Sequence, residues 1–372
     1  MVNITINGKP MQAEEGTTIL SAASAAKMPV PSLCYLKDIN EIGACRVCVV
    51  EIKGVSRLVT ACNNVVQEGM EILTNSPRVR EARRTNVELI LSQHNSSCTS
   101  CVRGGNCSLQ RIANDLGIYA SEYKKDIPKR QWPIEFPLIR DASRCIKCMR
   151  CVQICDKVQD LHIWDIVKTG SRATVGVTHN LQITQSDCAI CGQCLTHCPT
   201  GALRERDDTL QLLSMQGAFA DPDKVTIVQV APAVRSAWAE ELGLDREEAT
   251  PGRLVAALKA LGFDYVFDTD FGADLTIMEE GSEFLERMRH REDYTFPMFT
   301  SCCPGWVRFL KSQYPEMIGQ LSTAKSPHQM QGAVTKTYLA EKLGLDPYRV
   351  YNVSVMPLIA NKKEAEIPNI ND

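Results

Sequence analysis

The chain has 372 residues, an apolar fraction of 44%, and 41 basic against 44 acidic side chains. This length predicts two to four domains, and the near balance of charge gives no electrostatic reason to expect nucleic acid or an anionic membrane as a partner. The N-terminus has neither a basic leader nor a long apolar run, so we expect a cytoplasmic protein. Seventeen cysteines, many in Cys-x-x-Cys repeats, are typical of metal ligation in a reducing compartment.

A small β domain is predicted at the N-terminus. Val2 to Ile6 alternates with the period of a half-buried strand, and Asn7-Gly8 favours a type I′ hairpin turn. Thr17 or Thr18 can cap a helix that runs to about Ala26.

Four cysteines follow in this domain, separated by ten, two and thirteen residues: Cys34, Cys45, Cys48 and Cys62. Four thiolates from a loop and a strand suit a [2Fe–2S] cluster, in which each iron takes two cysteines. Gly43 and Ala44 are small enough to let backbone N–H groups approach the sulfurs. A zinc site or buried inert thiols are the alternatives. The spacing resembles that of the [2Fe–2S] domain shared by the large iron–sulfur subunit of respiratory complex I and multi-cluster [FeFe]-hydrogenases.

A second ligand set needs a histidine. Ser76-Pro77 is typical of the N-cap and first residue of a helix, which runs toward His94. Three cysteines follow: Cys98, Cys101 and Cys107. They leave a four-ligand [4Fe–4S] cluster one donor short, and His94 can supply it. The pattern also matches the His-ligated [4Fe–4S] site of the same two families. We interpret the arginines of the helix as a solvated face in preference to a docking site for an acidic partner: Arg78, Arg80, Arg83 and Arg84.

An internal duplication comes next, because two Cys-x2-Cys-x2-Cys-x3-Cys runs lie 43 residues apart. In two-cluster ferredoxins the fourth cysteine of each run binds the other cluster. One [4Fe–4S] site is therefore predicted at Cys145, Cys148, Cys151 and Cys198. The other is predicted at Cys188, Cys191, Cys194 and Cys155. Pro199 follows Cys198 as is usual, whereas Asp156 takes the place of the proline after Cys155 and should change the local backbone and charge.

From about residue 222, strand and helix patterns alternate, which predicts a parallel sheet covered by helices. Strands are predicted at 225–230, 265–267 and 350–355, with a further short strand toward Thr300. Helices are predicted near 251–261, 273–289, 306–314 and 328–343.

Three stretches of this region resemble the catalytic domain of [FeFe]-hydrogenases: APAVR at 231–235, FDTDFGADLTIMEE at 267–280 and TSCCPGW at 300–306. The resemblance extends over essentially the whole chain, domain by domain. It implies that the residue matching Cys302 relays protons in the family. It also implies that the residue matching Cys303 binds the [4Fe–4S] part of the active-site cluster.

The next family motif departs from the pattern. The family has Met-Pro-Cys with a lysine three residues after the cysteine, whereas this chain has Leu358 and Asn361 at those positions. The motif that supplies the last two cysteines lies beyond the final residue, so one thiolate of four remains. We therefore expect no hydrogen turnover and no catalytic residue in this chain. Cys302 and Cys303 are interpreted as a packing remnant rather than a metal-binding or redox pair.

Electron carriers of this kind need partners. Clusters move single electrons and nicotinamide moves hydride, so a flavin must stand between them, and the chain has no Gly-x-Gly-x-x-Gly fingerprint. The resemblance implies an FMN- and NAD(H)-binding iron–sulfur subunit, a thioredoxin-like [2Fe–2S] subunit, ferredoxin and an NADP(H)-binding flavoprotein. It identifies the chain as similar to the iron–sulfur subunit of electron-bifurcating [FeFe]-hydrogenase-like complexes, in the form without the active-site cluster found in NADH-dependent ferredoxin:NADP⁺ transhydrogenases.

The expected architecture is an α+β multidomain chain with one [2Fe–2S] and three [4Fe–4S] clusters. It comprises a β-grasp [2Fe–2S] domain at 1–76, a [4Fe–4S] domain with one histidine and three cysteine ligands at 77–135, a two-[4Fe–4S] ferredoxin-like domain at 136–221 and a truncated, degenerate α/β hydrogenase-like domain at 222–372. Two alternatives stay open. One is a truncated or altered catalytic subunit of an NAD(P)-linked [FeFe]-hydrogenase, and the other is a non-conducting scaffold or redox sensor.

Overall fold

The computed structural model describes residues 1–120, 122–240 and 242–367, so positions 368–372 of the predicted fourth domain lie outside the described residues. The chain divides into two compact units. The first comprises 1–134, 138–186 and 193–204, and the second comprises 135–137, 187–192 and 205–372. None of the helices in the described ranges combines the length and the apolarity that a membrane crossing needs.

The first unit opens with a mixed five-stranded sheet in the order β2-β1-β5-β3-β4. Its strands are β1 Val2–Ile6, β2 Lys9–Ala13, β3 Val49–Ile52, β4 Val59–Thr60 and β5 Glu71–Leu73. The predicted hairpin is confirmed, since β1 and β2 pair antiparallel around Asn7 and Gly8, which have φ of +49° and +80°. Helix α1, Ile19–Ala25, begins after Thr18, whose hydroxyl accepts from the backbone of Ser21 at 3.2 Å.

Short elements make up the rest of the first unit. They are α2 Pro77–Ser92, α3 Ser108–Asp115, β6 Leu138–Arg140, α4 Arg150–Lys157, β7 Trp164–Val167, β8 Thr174–Val177, α5 Gln193–Thr196 and β9 Leu203–Glu205. The predicted cap of α2 is confirmed, because the Ser76 hydroxyl accepts from the backbone of Val79 at 3.3 Å. β7 and β8 form an antiparallel hairpin, and β6 pairs with β9.

The arginines of α2 do not form one solvated face. Arg83 is buried and donates to the carbonyls of Val47, Val49 and Thr74 at 3.0 to 3.1 Å. The interpretation of Arg83 as a surface residue is therefore wrong. These carbonyls lie in loops and at the start of β3, and a guanidinium from the neighbouring helix supplies donors to them.

The second unit is built on a three-stranded parallel sheet in the order β11-β10-β12, with β10 in the centre. The strands are β10 Val225–Val230, β11 Tyr265–Asp268 and β12 Val350–Val355. The predicted parallel sheet is thus confirmed. One apolar core packs around Val228, Val230, Leu258 and Phe263.

The helices of the second unit are α6 Leu210–Leu213, α7 Pro232–Ala237, α8 Pro251–Leu261, α9 Asp270–Arg289, α10 Pro304–Gln313, α11 Pro327–Val334, α12 Ala340–Leu343 and α13 Asn361–Glu364. A π-helical turn, Thr335–Leu339, joins α11 to α12. The strand predicted before Thr300 is absent from the described residues, where Phe299 makes only an isolated bridge to Leu321. Pro297 lacks the N–H that a longer ladder would require.

Candidate iron–sulfur sites

The first predicted ligand set converges inside the N-terminal part of the first unit. All four of its cysteines are buried: Cys34, Cys45, Cys48 and Cys62. Backbone N–H groups of Ala44 and Cys45 hydrogen-bond to the sulfur of Cys34, as the small residues there led us to expect. Gly43 has φ of +65°, and an added Cβ would lie 3.1 Å from the Asn63 amide, so this turn requires glycine.

The thiols of this set are close enough to change one another's acidity. Hydrogen bonds from Cys45 and Cys62 lower the pKa of Cys34, and the same contacts raise the pKa of both donors. Cys62 likewise lowers the pKa of Cys48 to about 7. A thiol that donates a hydrogen bond to a neighbouring thiolate keeps its own proton, so these hydrogen bonds prevent all four thiols from ionising together. A cation that binds all four removes this conflict, which is what iron does in a thiolate site.

A buried amide ties the Cys34 loop to the duplicated region. Asn40 is fully buried, and its Nδ2 donates to the carbonyls of Cys34 at 2.7 Å and Cys148 at 2.9 Å. Arg150 donates to the same Cys34 carbonyl at 3.3 Å and to that of Tyr35 at 2.7 Å. The backbones that carry two predicted ligand sets are therefore held together. Sequence reasoning missed Asn40, because a single asparagine in a loop is most often a turn residue.

The second predicted set includes a buried histidine with an unpartnered nitrogen. His94 is 7% exposed, and its Nδ1 has no hydrogen-bond partner among the described residues. Burial lowers the pKa of His94, with a further contribution from the charge of Arg144, so the imidazole is neutral at pH 7. A neutral ring with a free nitrogen is the form that binds iron.

The cysteines of this set are half-buried: Cys98, Cys101 and Cys107. Arg144 donates to the carbonyl of Ser100 at 3.1 Å and also lies near His94. It therefore lies close to the histidine and to the loop that carries Cys98 and Cys101. An added Cβ on Gly201 would lie 2.5 Å from the Cys101 sulfur. Glycine is therefore required at 201 for this approach.

The third predicted set lines one cavity. Its four cysteines face it together with Arg140: Cys145, Cys148, Cys151 and Cys198. Burial raises the pKa of Cys148 to about 12, and burial also raises that of Cys151. The member of this set that comes from the second run is Cys198. The corresponding cysteine of the first run, Cys155, accepts a hydrogen bond from the backbone N–H of Ile163 at 3.4 Å. Ligation of a cluster by this set stays a prediction.

The fourth predicted set is divided between the units. Cys155 and Cys194 belong to the first, whereas Cys188 and Cys191 belong to the second. Ile190 N donates to the Cys188 sulfur at 3.4 Å. Asp156 follows Cys155 in place of the usual proline, and its carboxylate lies 3.1 Å from Nδ1 of His162. This set also stays a prediction.

The two runs share a backbone conformation. Lys147 and Ile190, at matching positions, have φ of +56° and +57°, and Met149 and Gly192, also matching, have φ of +66° and +78°. A left-handed conformation is uncommon for any residue with a Cβ. Its recurrence at matched positions indicates that the duplication extends to the geometry of the cysteine turns.

The hydrogenase-like region places Cys302 and Cys303 differently. Cys302 is exposed, whereas the Cys303 sulfur accepts from Trp306 N at 3.4 Å and so caps α10. Arg235 of the APAVR stretch forms ion pairs with Asp268 and Asp270 of the FDTDFG stretch. Ion pairs therefore connect the APAVR and FDTDFG stretches within this unit.

A buried polar network occupies the position where the family motif departs. Glu364 is 7% exposed and accepts from Ser326 at 2.6 Å, from Asn361 Nδ2 at 2.9 Å and contacts His328 Nδ1 at 2.9 Å. Burial alone would raise the pKa of Glu364, but the hydrogen bonds from His328, Ser326 and Asn361 together lower it. The amide at 361 therefore has a partner within the protein.

The donor chemistry of the predicted sets suits iron–sulfur clusters, since it consists of buried and half-buried soft thiols, backbone N–H groups directed at the Cys34 sulfur and one unpartnered imidazole nitrogen. Within the described ranges, no group of three or more histidine, cysteine, aspartate or glutamate side chains has the arrangement of a site for one metal ion.

Family models match four regions of the chain. Residues 1–77 match a 2Fe-2S iron–sulfur cluster binding domain, and residues 83–122 match the NADH-ubiquinone oxidoreductase-G iron–sulfur binding region. Residues 144–202 match a 4Fe-4S dicluster domain, and residues 224–372 match the C-terminal domain of the iron-only hydrogenase large subunit. The predicted presence of both a 2Fe-2S domain and 4Fe-4S binding domains is therefore confirmed.

Two relatives and one solved structure define the similarity further. The NADP-reducing hydrogenase subunit HndD of Solidesulfovibrio fructosivorans is 45% identical over the whole chain, which spans 65% of that relative. The NAD-reducing hydrogenase HoxS subunit gamma of Cupriavidus necator is 30% identical over 55% of the chain and 87% of the relative. A crystal structure of NAD⁺-reducing [NiFe]-hydrogenase superposes with a TM-score of 0.52 and 28% identity, over 56% of this chain and 88% of that one. The chain thus belongs to the family of hydrogenase-like iron–sulfur subunits of oxidoreductases.

Proposed function

We propose that the chain is the electron-transfer subunit of a cytoplasmic, flavin-based electron-bifurcating oxidoreductase that couples NAD(H), ferredoxin and NADP(H). It has no hydrogenase activity of its own. One contrast carries the proposal. Buried thiols converge around Cys34 and four cysteines line the cavity beside Cys148, whereas Leu358 and Asn361 stand where the hydrogenase motif has a thiolate and a lysine.

The four ligand sets would hold one [2Fe–2S] and three [4Fe–4S] clusters. When bound, these groups would supply one-electron transfer between partner subunits. The chain itself buries or half-buries the thiols and directs backbone N–H groups at sulfur atoms among them. Asn40 and Arg150 fix two of the cysteine-bearing backbones against each other, which would hold the distance between two carriers constant.

Residues of the second unit argue against a complete hydrogen-activating centre. Leucine at 358 has no metal-binding atom, and the Asn361 amide is neutral and donates to Glu364. The Cys303 sulfur accepts a backbone hydrogen bond at the start of α10.

Partners follow from the chemistry that this chain lacks. We expect an FMN- and NAD(H)-binding iron–sulfur subunit, a thioredoxin-like [2Fe–2S] subunit, ferredoxin and an NADP(H)-binding flavoprotein. Two relatives, an NADP-reducing and an NAD-reducing hydrogenase subunit, support a nicotinamide-linked complex.

Anaerobic purification of the native complex from its source, followed by identification of the co-purifying chains and flavins, tests this assignment. We expect a flavoprotein that binds NAD(H) and no hydrogen evolution from reduced viologen. Robust hydrogen evolution would overturn the proposal in favour of a catalytic subunit of an NAD(P)-linked hydrogenase. Purification without any flavin would overturn the nicotinamide-linked role.

A further inference from the structure

A buried arginine of the first unit, Arg140, lies near a second cation, Arg130, and has no acidic partner among the described residues. Arg140, at the end of β6, is 4% exposed. Its Nη2 donates to Thr174 Oγ1 at a long 3.3 Å, and its Nη1 is buried without a partner among the described residues. No ion pair within those residues includes it. A guanidinium in such a site is costly unless an anion compensates its charge.

The cavity beside this arginine is where an anion would lie. Arg140 lines it together with Cys145, Cys148, Cys151 and Cys198. The other lining residues are apolar except for Thr200. A four-iron cluster held by four thiolates is an anion, and one-electron reduction adds a further negative charge. The largely apolar lining of the cavity weakens the screening of a nearby positive charge.

The duplicated run provides an internal comparison. The position that matches Arg140, five residues before the first cysteine of the second run, is Ile183, which is fully buried. The cysteine turns of the two runs share their left-handed residues, so the comparison is between like backbones. One run thus carries a buried cation where the other carries an alkyl group.

We propose that Arg140 is the counter-charge of the cluster held by Cys145, Cys148, Cys151 and Cys198, and that it raises the reduction potential of that cluster. The inference rests on the ligand set of the proposed function. A fixed positive charge favours the more negative, reduced state of its neighbour. Arg140 is not a ligand of the cluster and acts on its reduction potential through charge.

Potentiometric titration with dithionite, followed by EPR on the complete complex, tests the proposal. The Cys145→Ser variant identifies the signal of this cluster by its loss. In Arg140→Met the reduced-to-oxidised ratio at a fixed potential should fall at least tenfold, which corresponds to about 59 mV for one electron. Arg140→Lys should retain most of the wild-type ratio, and the matched control Ile183→Met should leave this signal unchanged.

The outcomes separate charge from packing. An unchanged midpoint potential in Arg140→Met with full iron content would overturn the proposal, as would equal shifts in the Met and Lys variants. If Arg140→Met and Arg140→Gln lose the cluster and Arg140→Lys keeps it, the charge requirement is supported, whereas loss in all three overturns it in favour of packing. If Cys145→Ser removes no [4Fe–4S] signal, the ligand set of the proposed function fails instead.

Discussion

The two units of the chain are stabilised by different means. The first has strands of five residues or fewer, and its apolar clusters include cysteines among their central members, such as Cys48, Cys62 and Cys148. The second has six-residue parallel strands, a twenty-residue helix and a core of aliphatic and aromatic side chains. From this difference we expect iron to be part of the core in the first unit. The second unit carries Cys188 and Cys191 of the fourth predicted set, but its core is aliphatic and aromatic, so its folding should depend less on iron.

Removal of iron should therefore produce the largest difference between the amide protection of the two units. After treatment with a chelator and an oxidant, we expect amide protection in β3 and α4 to fall roughly 100-fold or more, since the thiols that pack there lose their common partner. Protection in β10 should change by less than about twofold. Hydrogen-exchange mass spectrometry measures both. Equal losses of amide protection in β10 and β3 would show that the two units do not differ in their dependence on iron.

Single ligand substitutions should remove whole clusters. The complete chain should hold about 14 irons, of which Cys62→Ser should lose about two and Cys145→Ser about four. Cys302→Ser is the matched control, because this cysteine is exposed and outside the predicted sets, and we expect no loss. Iron analysis and EPR give the answer. A loss of iron in Cys302→Ser would mean that Cys302 binds a metal outside the four predicted sets.

The histidine site should respond to the type of donor. His94→Ala should lose or destabilise one [4Fe–4S] cluster. His94→Cys should keep it at a lower reduction potential, because a thiolate adds negative charge. The matched control is His179→Ala, which changes a histidine of the same unit outside the predicted sets. EPR-monitored titration distinguishes them. If His94→Ala leaves every cluster signal and potential intact, His94 is not a ligand.

A smaller effect is expected in the buried network of the second unit. Because the folded pKa of Glu364 is lowered, its stabilising contribution is present above the ordinary value of 4.5 and is lost as pH falls through the folded pKa. Glu364→Gln should cost about 1–3 kcal/mol at pH 7 and should abolish this acid dependence.

Hydrogen exchange in α11, corrected for the intrinsic effect of pH, measures that change. The more exposed Glu366, which pairs with Arg206 and Lys363, provides the control, and Glu366→Gln should cost less than about 1 kcal/mol. Equal costs for the two substitutions would show that the buried network does not stabilise the unit.

Sequence reasoning succeeded where local chemistry decides the structure. The Asn7-Gly8 turn, the cap of α2, the start of α8, and the bounds of β10 and β12 follow from turn residues, capping hydroxyls, prolines and apolar runs. Reasoning failed where distant residues decide, as at Arg83, whose carbonyl partners come from another part of the chain. Helix α9 begins at Asp270, three residues before the predicted start.

The ligand sets show the same division. Spacing, together with the ligand exchange usual in two-cluster ferredoxins, suggested which cysteines belong together. It could not reveal Asn40 or Arg140, since neither has a repeating pattern and each acquires its role only through burial beside a residue far along the chain. The counter-charge of a cluster is a tertiary property.

Mixing the native complex with NADH under anaerobic conditions tests most directly whether the clusters of this chain conduct electrons. Samples frozen at successive times and examined by EPR should show the cluster signals of this chain appearing within one turnover of the complex. Signals that remain absent over many turnovers, although dithionite elicits them, would contradict the account and identify the clusters as a scaffold or sensor.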